Sequence, residues 1–297
     1  MTKNVLASIY AAARCLLRSP AAFAVLAALY LALILACYFF ITTREATVWQ
    51  LFVTGATFIL APLLFFVVQA AGASYAVGVR GAGALLRATA RSFLKVLAVS
   101  LPVLLVAVLS VYLLNKLENR VKLTPEERAQ YAMTSPSSDE TEIDSASSES
   151  SRPKPPVRWK YLFVSALRLL VLGVFLPLVA MHLWIAAARD GLGAAFAGFH
   201  RHVSRAFSAR SVLTYGVGMI FFALLPYFLI TKRTPFSSNT LEILVFGARI
   251  LVAFSLMLFG WVMTMTALAR TDDEQPALDA TLDEPQTHTA PAATAAS

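Results

Sequence analysis

The strongest constraint in this 297-residue chain is a recurring length. Apolar runs of about twenty residues return six times, and most of them are bracketed by cations. Lys95 and Lys116 enclose 20 residues, as do Arg168 and Arg189, and Arg249 and Arg270, while Arg210 and Lys232 enclose 21. A helix rises about 1.5 Å per residue, so about twenty residues cross the roughly 30 Å hydrocarbon layer of a bilayer. Lysine or arginine at both ends reaches the headgroups along its aliphatic stem. Inside lipid each backbone amide must bond within its own segment, which leaves helix as the form of every run. The pattern predicts spans over residues 20–41, 49–76, 96–115, 169–188, 211–231 and 250–269.

Composition supports this. Hydrophobic residues make up 58% of the chain and charged ones 14%, and the mean hydropathy is +0.67. A water-soluble domain of this size cannot hide that much apolar surface, so an ordinary soluble enzyme is excluded. Two cysteines, Cys15 and Cys37, exclude a disulfide scaffold. Lys3, Arg14 and Arg18 precede the first run, as in a signal peptide. That run is longer than an h-region and lacks a small-residue cleavage site, so it reads as a retained span.

The segments between alternate spans are amphipathic. Val5, Ile9, Ala13 and Leu16 oppose Lys3, Arg14 and Arg18. Over 79–97, Val79, Ala82, Leu86, Ala90, Phe93 and Leu97 oppose Arg80, Arg87, Arg91 and Lys95. Over 192–208, Leu192, Phe196, Phe199, Val203 and Phe207 oppose Arg201, Arg205 and Ser208. Such stretches are expected to lie flat, apolar side in the acyl boundary and cations among phosphates. Each leads into an odd-numbered span through an Arg-Ser pair, at Arg18-Ser19, Arg91-Ser92 and Arg210-Ser211. The intervals are 73 and 119 residues, and the excess of 46 matches a loop at about 116–160. Three copies of one unit are expected: interfacial helix, span, turn, span. The fold class is all-α, a polytopic membrane bundle of six transmembrane helices with three cytosolic-side amphipathic interfacial helices.

Short loops on the side of the termini hold 11 basic residues, against Arg44, Lys232 and Arg233 on the other. The positive-inside rule then puts both termini in the cytosol of a bacterial inner membrane and loop 116–160 outside. That loop contains TSPSSDETEIDSASSESS at 134–151, and residues 271–297 carry 6 acids and no Lys or Arg. Neither composition builds a core, so both are expected to be disordered. The resulting organisation is 1–115, loop 116–160, 161–270 and tail 271–297.

The segments Gly81-Ala82-Gly83-Ala84-Leu85-Leu86-Arg87 and Gly191-Leu192-Gly193-Ala194-Ala195-Phe196 place Gly- and Arg-bearing amphipathic helices between hairpins. In this the chain resembles uncharacterised bacterial six-span membrane families, such as the membrane domain attached to some glycerophosphodiester phosphodiesterases. The resemblance covers residues 1–270 except the loop and is architectural. The phosphodiesterase catalytic domain is absent, so no catalytic residue follows from it.

No G-x-S-x-G, H-E-x-x-H, P-loop or pair of intramembrane carboxylates is present. His200-x-His202 lacks a third metal ligand at useful spacing. No catalytic residue, cofactor or metal is expected, and no nucleic acid, because the faces opposite the cations are too apolar. The expected role is a non-enzymatic, anionic-lipid-associated envelope or accessory protein. Headgroup contacts would come from Arg14, Arg18, Arg87, Arg91, Lys95, Arg201, Arg205 and Arg210. The partners would be membrane lipids, with a homo-oligomer or another membrane protein as a further possibility. The alternative is a small-solute or anionic-lipid transporter or channel. Its cavity between proline-bearing spans would be lined by Arg168, Arg249, His182 and Gln69, with Pro62, Pro102, Pro177 and Pro226 as the kinks. Otherwise Arg168 and Arg249 are interface anchors. Ala24, Ala28, Ala32 and Ala36 form a small-residue stripe suited to close helix packing, within the chain or in a dimer.

Overall fold

A computed structural model describes residues 2–43, 47–121, 159–232 and 239–282. Every element among them is a helix. In chain order these are α1 (Thr2–Leu17), α2 (Pro20–Thr42), α3 (Val48–Ala76) and α4 (Ala82–Val121). The helix α5 covers 159–189, followed by α6 (Leu192–Ala197), α7 (Phe199–Ala206), α8 (Ala209–Thr231) and α9 (Asn239–Leu282). Six of them, α2, α3, α4, α5, α8 and α9, are long and apolar enough to cross a membrane. The chain is an all-α, multi-pass membrane bundle.

The helices are longer than the spans their flanking cations mark out. The apolar run from 96 lies within α4, whose forty residues extend about 60 Å at 1.5 Å each. The amphipathic stretch from Ala82 and the third span are therefore one rod, not a flat helix joined to an upright one. Its far end continues through Lys116 to Val121, where coil was expected from 116. Helix α9 likewise runs to Leu282, past the expected start of the tail at 271. Once a span is formed, each added residue gains a hydrogen bond without a new nucleus. Helix propagation is cooperative, so a rod does not stop where its apolar stretch does. The expected disorder at 122–158 and beyond 282 lies outside the described residues. The third amphipathic stretch is two helices, since α6 ends and α7 begins at Gly198.

Two compact units are distinguishable, one formed by the described parts of Met1–Val103 and Leu178–Ser297, the other by those of Leu104–Pro177. In the first, one apolar cluster joins Leu16 of α1, Ala22 and Leu26 of α2, Ala71 and Tyr75 of α3, Leu85 of α4, and Leu258 and Val262 of α9. A second places Val5, Ile9 and Ala12 of α1 on Met263 and Ala267 of α9, with Val217 and Phe221 of α8 beside them. The apolar side of α1 is thus covered by protein, not turned to the acyl boundary. Small residues on the facing helices leave room for it. Leu6, Tyr10 and Leu17 form the exposed row of α1, on the side of Arg14 and Arg18.

Helices α8 and α9 approach closely. A side chain on Gly218 would overlap the Thr264 hydroxyl, and a Cβ on Gly260 would lie 2.9 Å from the Phe222 nitrogen and 2.8 Å from Phe221 Cβ. Spans five and six therefore touch backbone to backbone, as small residues allow in membranes. The alanine stripe of α2 contributes little to this, because Ala24 and Ala28 are exposed. The face that α2 buries carries Ala22, Leu26 and Ala36, of which Ala36 belongs to the stripe.

Prolines act unequally. Pro62 and Pro102 sit in unbroken α-helix. Before Pro177 and Pro226 the helix widens to π turns at Leu169–Phe175 and Ile220–Leu224, with Leu176 N–H bonded to Val171 O and Leu225 N–H to Ile220 O. A proline ring collides with the carbonyl four residues before it and offers no N–H; a wider turn moves that carbonyl aside.

Gly260→Ala should lower stability by about 1–3 kcal/mol, because backbone lies within reach of the new methyl. Gly55→Ala, with open space around it, should change stability by less than about 0.5 kcal/mol. Reversible SDS titration of the two variants in bicelles measures both; equal stabilities would refute the backbone contact.

Candidate functional site

The serines of the three Arg-Ser junctions are all hydrogen-bonded. Ser19 Oγ lies 2.6 Å from the Tyr75 hydroxyl and 2.9 Å from the Cys15 carbonyl. Ser92 Oγ donates to the Ala88 carbonyl at 2.8 Å and lies 3.0 Å from Ser74 Oγ. Ser211 is buried, and its N–H donates to the Ser208 hydroxyl, which caps α8. Two junctions are thus tied to adjacent residues at the end of α3.

That end is closed by the chain itself. Gly78, at φ +107°, ends α3 in a left-handed conformation that a side chain disfavours. Gly78 N–H bonds to Tyr75 O and Val79 N–H to Ser74 O. Arg80 adds a bond from its guanidinium to Tyr75 O at 2.6 Å and lies over the Tyr75 ring at 4.0 Å. On α5, Arg189 donates to the Ala269 carbonyl at 3.1 Å. The end where α2, α4 and α8 begin is therefore a ring of hydrogen-bonded termini.

Around that ring stand the cations expected to meet headgroups. Arg14, Arg18, Arg87, Arg91 and Arg201 are exposed, and Lys95, Arg205 and Arg210 are half-buried. Arg87 also donates to the Gly83 carbonyl on its own helix. On α4 the apolar face differs from the one expected. The side turned to protein carries Leu85, Thr89, Ser92, Val96, Val99 and Ser100, whereas Leu86 is exposed. Hydroxyls were the missed signal. Ser100 Oγ accepts from the Trp184 indole at 2.7 Å, and interhelical bonds of this kind favour a polar stripe facing inward.

The pair α6–α7 is sparsely covered. Ala195 and Ala206 are its buried side chains, while Phe196 (46% exposed), Phe199 (39%) and Phe207 (50%) are uncovered. At about 100° per residue, Phe199, Val203 and Phe207 form one arc, and Arg201 and Arg205 lie on the opposite side.

The residues proposed for a transport cavity each have their own surroundings. Arg168, in the second unit, pairs with Glu118 at 3.3 Å. Arg249 donates to the Lys232 carbonyl at 2.5 Å, capping α8. Each lies inside a continuous helix that begins at Trp159 or Asn239. His182 is fully buried. Gln69 lines a cavity of about 150 Å³, formed with Tyr30, Leu33, Phe65, Val68, Phe222, Met257, Leu258 and Trp261. Among the described residues, no three histidine, cysteine or acidic side chains come together as metal ligands. Comparisons with protein-family models, with curated proteins and with solved structures find no match.

Tyr75→Phe and Ser19→Ala should each cost about 0.5–1.5 kcal/mol, and the double variant should cost little more than either alone. Additive losses in the same SDS titration would show that the two hydroxyls act independently.

Proposed function

We propose that this chain is a non-enzymatic integral protein of the bacterial cytoplasmic membrane whose α6–α7 pair and neighbouring cations hold anionic lipid headgroups at the inner leaflet. The observation that carries this reading is the uncovered row Phe196, Phe199 and Phe207 opposite Arg201 and Arg205. A helix pair in water would not leave three rings exposed beside two guanidiniums; at an interface both sides find their solvent. The exposed row Leu6, Tyr10 and Leu17 beside Arg14 and Arg18 extends the same surface. The role in the cell is envelope maintenance or support of a membrane partner. The transporter reading gains no comparable support, since Arg168 and Arg249 are engaged elsewhere and His182 is absent from the cavity wall.

The test is native mass spectrometry of the purified chain with phosphatidylglycerol or phosphatidylcholine of matched acyl chains. Each well-placed cation contributes about 1 kcal/mol toward anionic lipid, so the variant Arg201→Gln/Arg205→Gln, which removes two, should retain about thirtyfold less phosphatidylglycerol. Phosphatidylcholine retention should be unchanged. Equal retention of phosphatidylglycerol by wild type and variant would overturn the proposal.

The sidedness has its own test. In a background without Cys15 and Cys37, Ser147→Cys should react with an impermeant thiol reagent on intact spheroplasts and Thr294→Cys should not. Reversed labelling would place the basic end outside.

A further inference from the structure

The cavity between α2, α3, α8 and α9 lies at membrane depth. Tyr30 is ten residues into α2, Gln69 seven from the end of α3, and Trp261 nine before Arg270. Gln69 is 6% exposed, and its Oε1 has no hydrogen-bond partner among the described residues. A buried amide oxygen left unpaired in a low-dielectric setting is costly, so the site calls for a donor. The neighbouring Tyr30 hydroxyl spends its proton on the Met257 sulfur at 3.7 Å, a weak acceptor.

The walls are specific. Six of the nine lining side chains are hydrocarbon or thioether. The polar groups of the wall are those of Tyr30, Gln69 and Trp261. Trp261 is seated by Gly72, where a Cβ would collide with its ring. Phe222 comes from the π turn of α8, braced against Gly260. Phe65, on the lining, is 39% exposed, which leaves a way in from the surrounding lipid. A volume of about 150 Å³ accommodates one six-membered ring.

We propose that this cavity binds an uncharged, lipid-soluble phenol, its ring between Phe65, Phe222 and Trp261 and its O–H donating to Gln69 Oε1. The aromatic walls select a flat ring and the amide oxygen selects a hydroxyl over a plain hydrocarbon. The site is separate from the headgroup surface and does not depend on it.

The test uses the full chain in nanodiscs of neutral lipid, titrated with 4-bromophenol or bromobenzene while tryptophan fluorescence is read. Concentrations are corrected for partition into protein-free discs. The expected result is saturable quenching that disappears in Trp261→Phe, with half-saturation about 3- to 10-fold lower for the phenol, the worth of one neutral hydrogen bond. Gln69→Leu should bring the two compounds within about twofold of each other, for the same reason. Leu33→Phe, which adds bulk to the cavity wall and keeps the Gln69 amide, should remove the saturable component for both. Three outcomes overturn the proposal: quenching that only rises linearly, as for a cavity holding water alone; a phenol preference that survives Gln69→Leu; and saturable quenching that survives Leu33→Phe.

Discussion

The end of α3 is the point on which the bundle's order rests. Tyr75 is fully buried, yet its hydroxyl meets Ser19 and its carbonyl takes Gly78 N–H and the Arg80 guanidinium. Its ring lies under Arg80 and in the cluster that unites α1, α2, α3, α4 and α9. In lipid, helices gain little by hiding apolar surface from one another, so position comes from contacts with direction. Here one residue supplies a hydrogen bond, a helix stop and a packing surface at once. Ser74, its neighbour, does the same for α4 through Ser92.

Elsewhere order comes from close contact of backbone. Gly218 and Gly260 bring α8 onto α9, and the π turn before Pro226 fits into that contact. The extra residue in the turn turns Phe221 toward the seat of α1 and Phe222 toward the Gln69 cavity. A helix defect forced by proline thus supplies walls to two different places.

Much of this was legible in the sequence, and the reasons differ by element. The six spans were readable because length and apolarity answer to one external ruler, the bilayer. Their ends were not, because helix propagation does not stop at a headgroup: α4 passes Lys116 and α9 passes Arg270. The Arg-Ser pairs were visible as a repeat, but the partners of Ser19 and Ser92 lie 56 and 18 residues away and leave no local trace. Periodicity found an apolar side on α4, yet the protein buries the hydroxyl side beside it. Hydrophobicity ranks residues by their dislike of water, and within lipid the group seeking a protein neighbour is the polar one. Of the four cavity residues proposed, Gln69 lines the cavity between α2, α3, α8 and α9; charge drew attention to Arg168 and Arg249, which Glu118 and the Lys232 carbonyl engage.

The seating of α1 on α9 has a temporal side. Val5 and Met263 meet across 258 positions of chain. At about 5–20 residues per second a ribosome needs some tens of seconds to make that distance. Throughout that delay Val5, Ile9 and Ala12 lack their seat on the last span, and the nearest oily phase is the leaflet beside them. The helix therefore has to be at home in two places in succession, first moored on the bilayer as a nascent segment and later shelved on the last span. Its amphipathic character is what a latecomer's dock demands of the part that must wait for it.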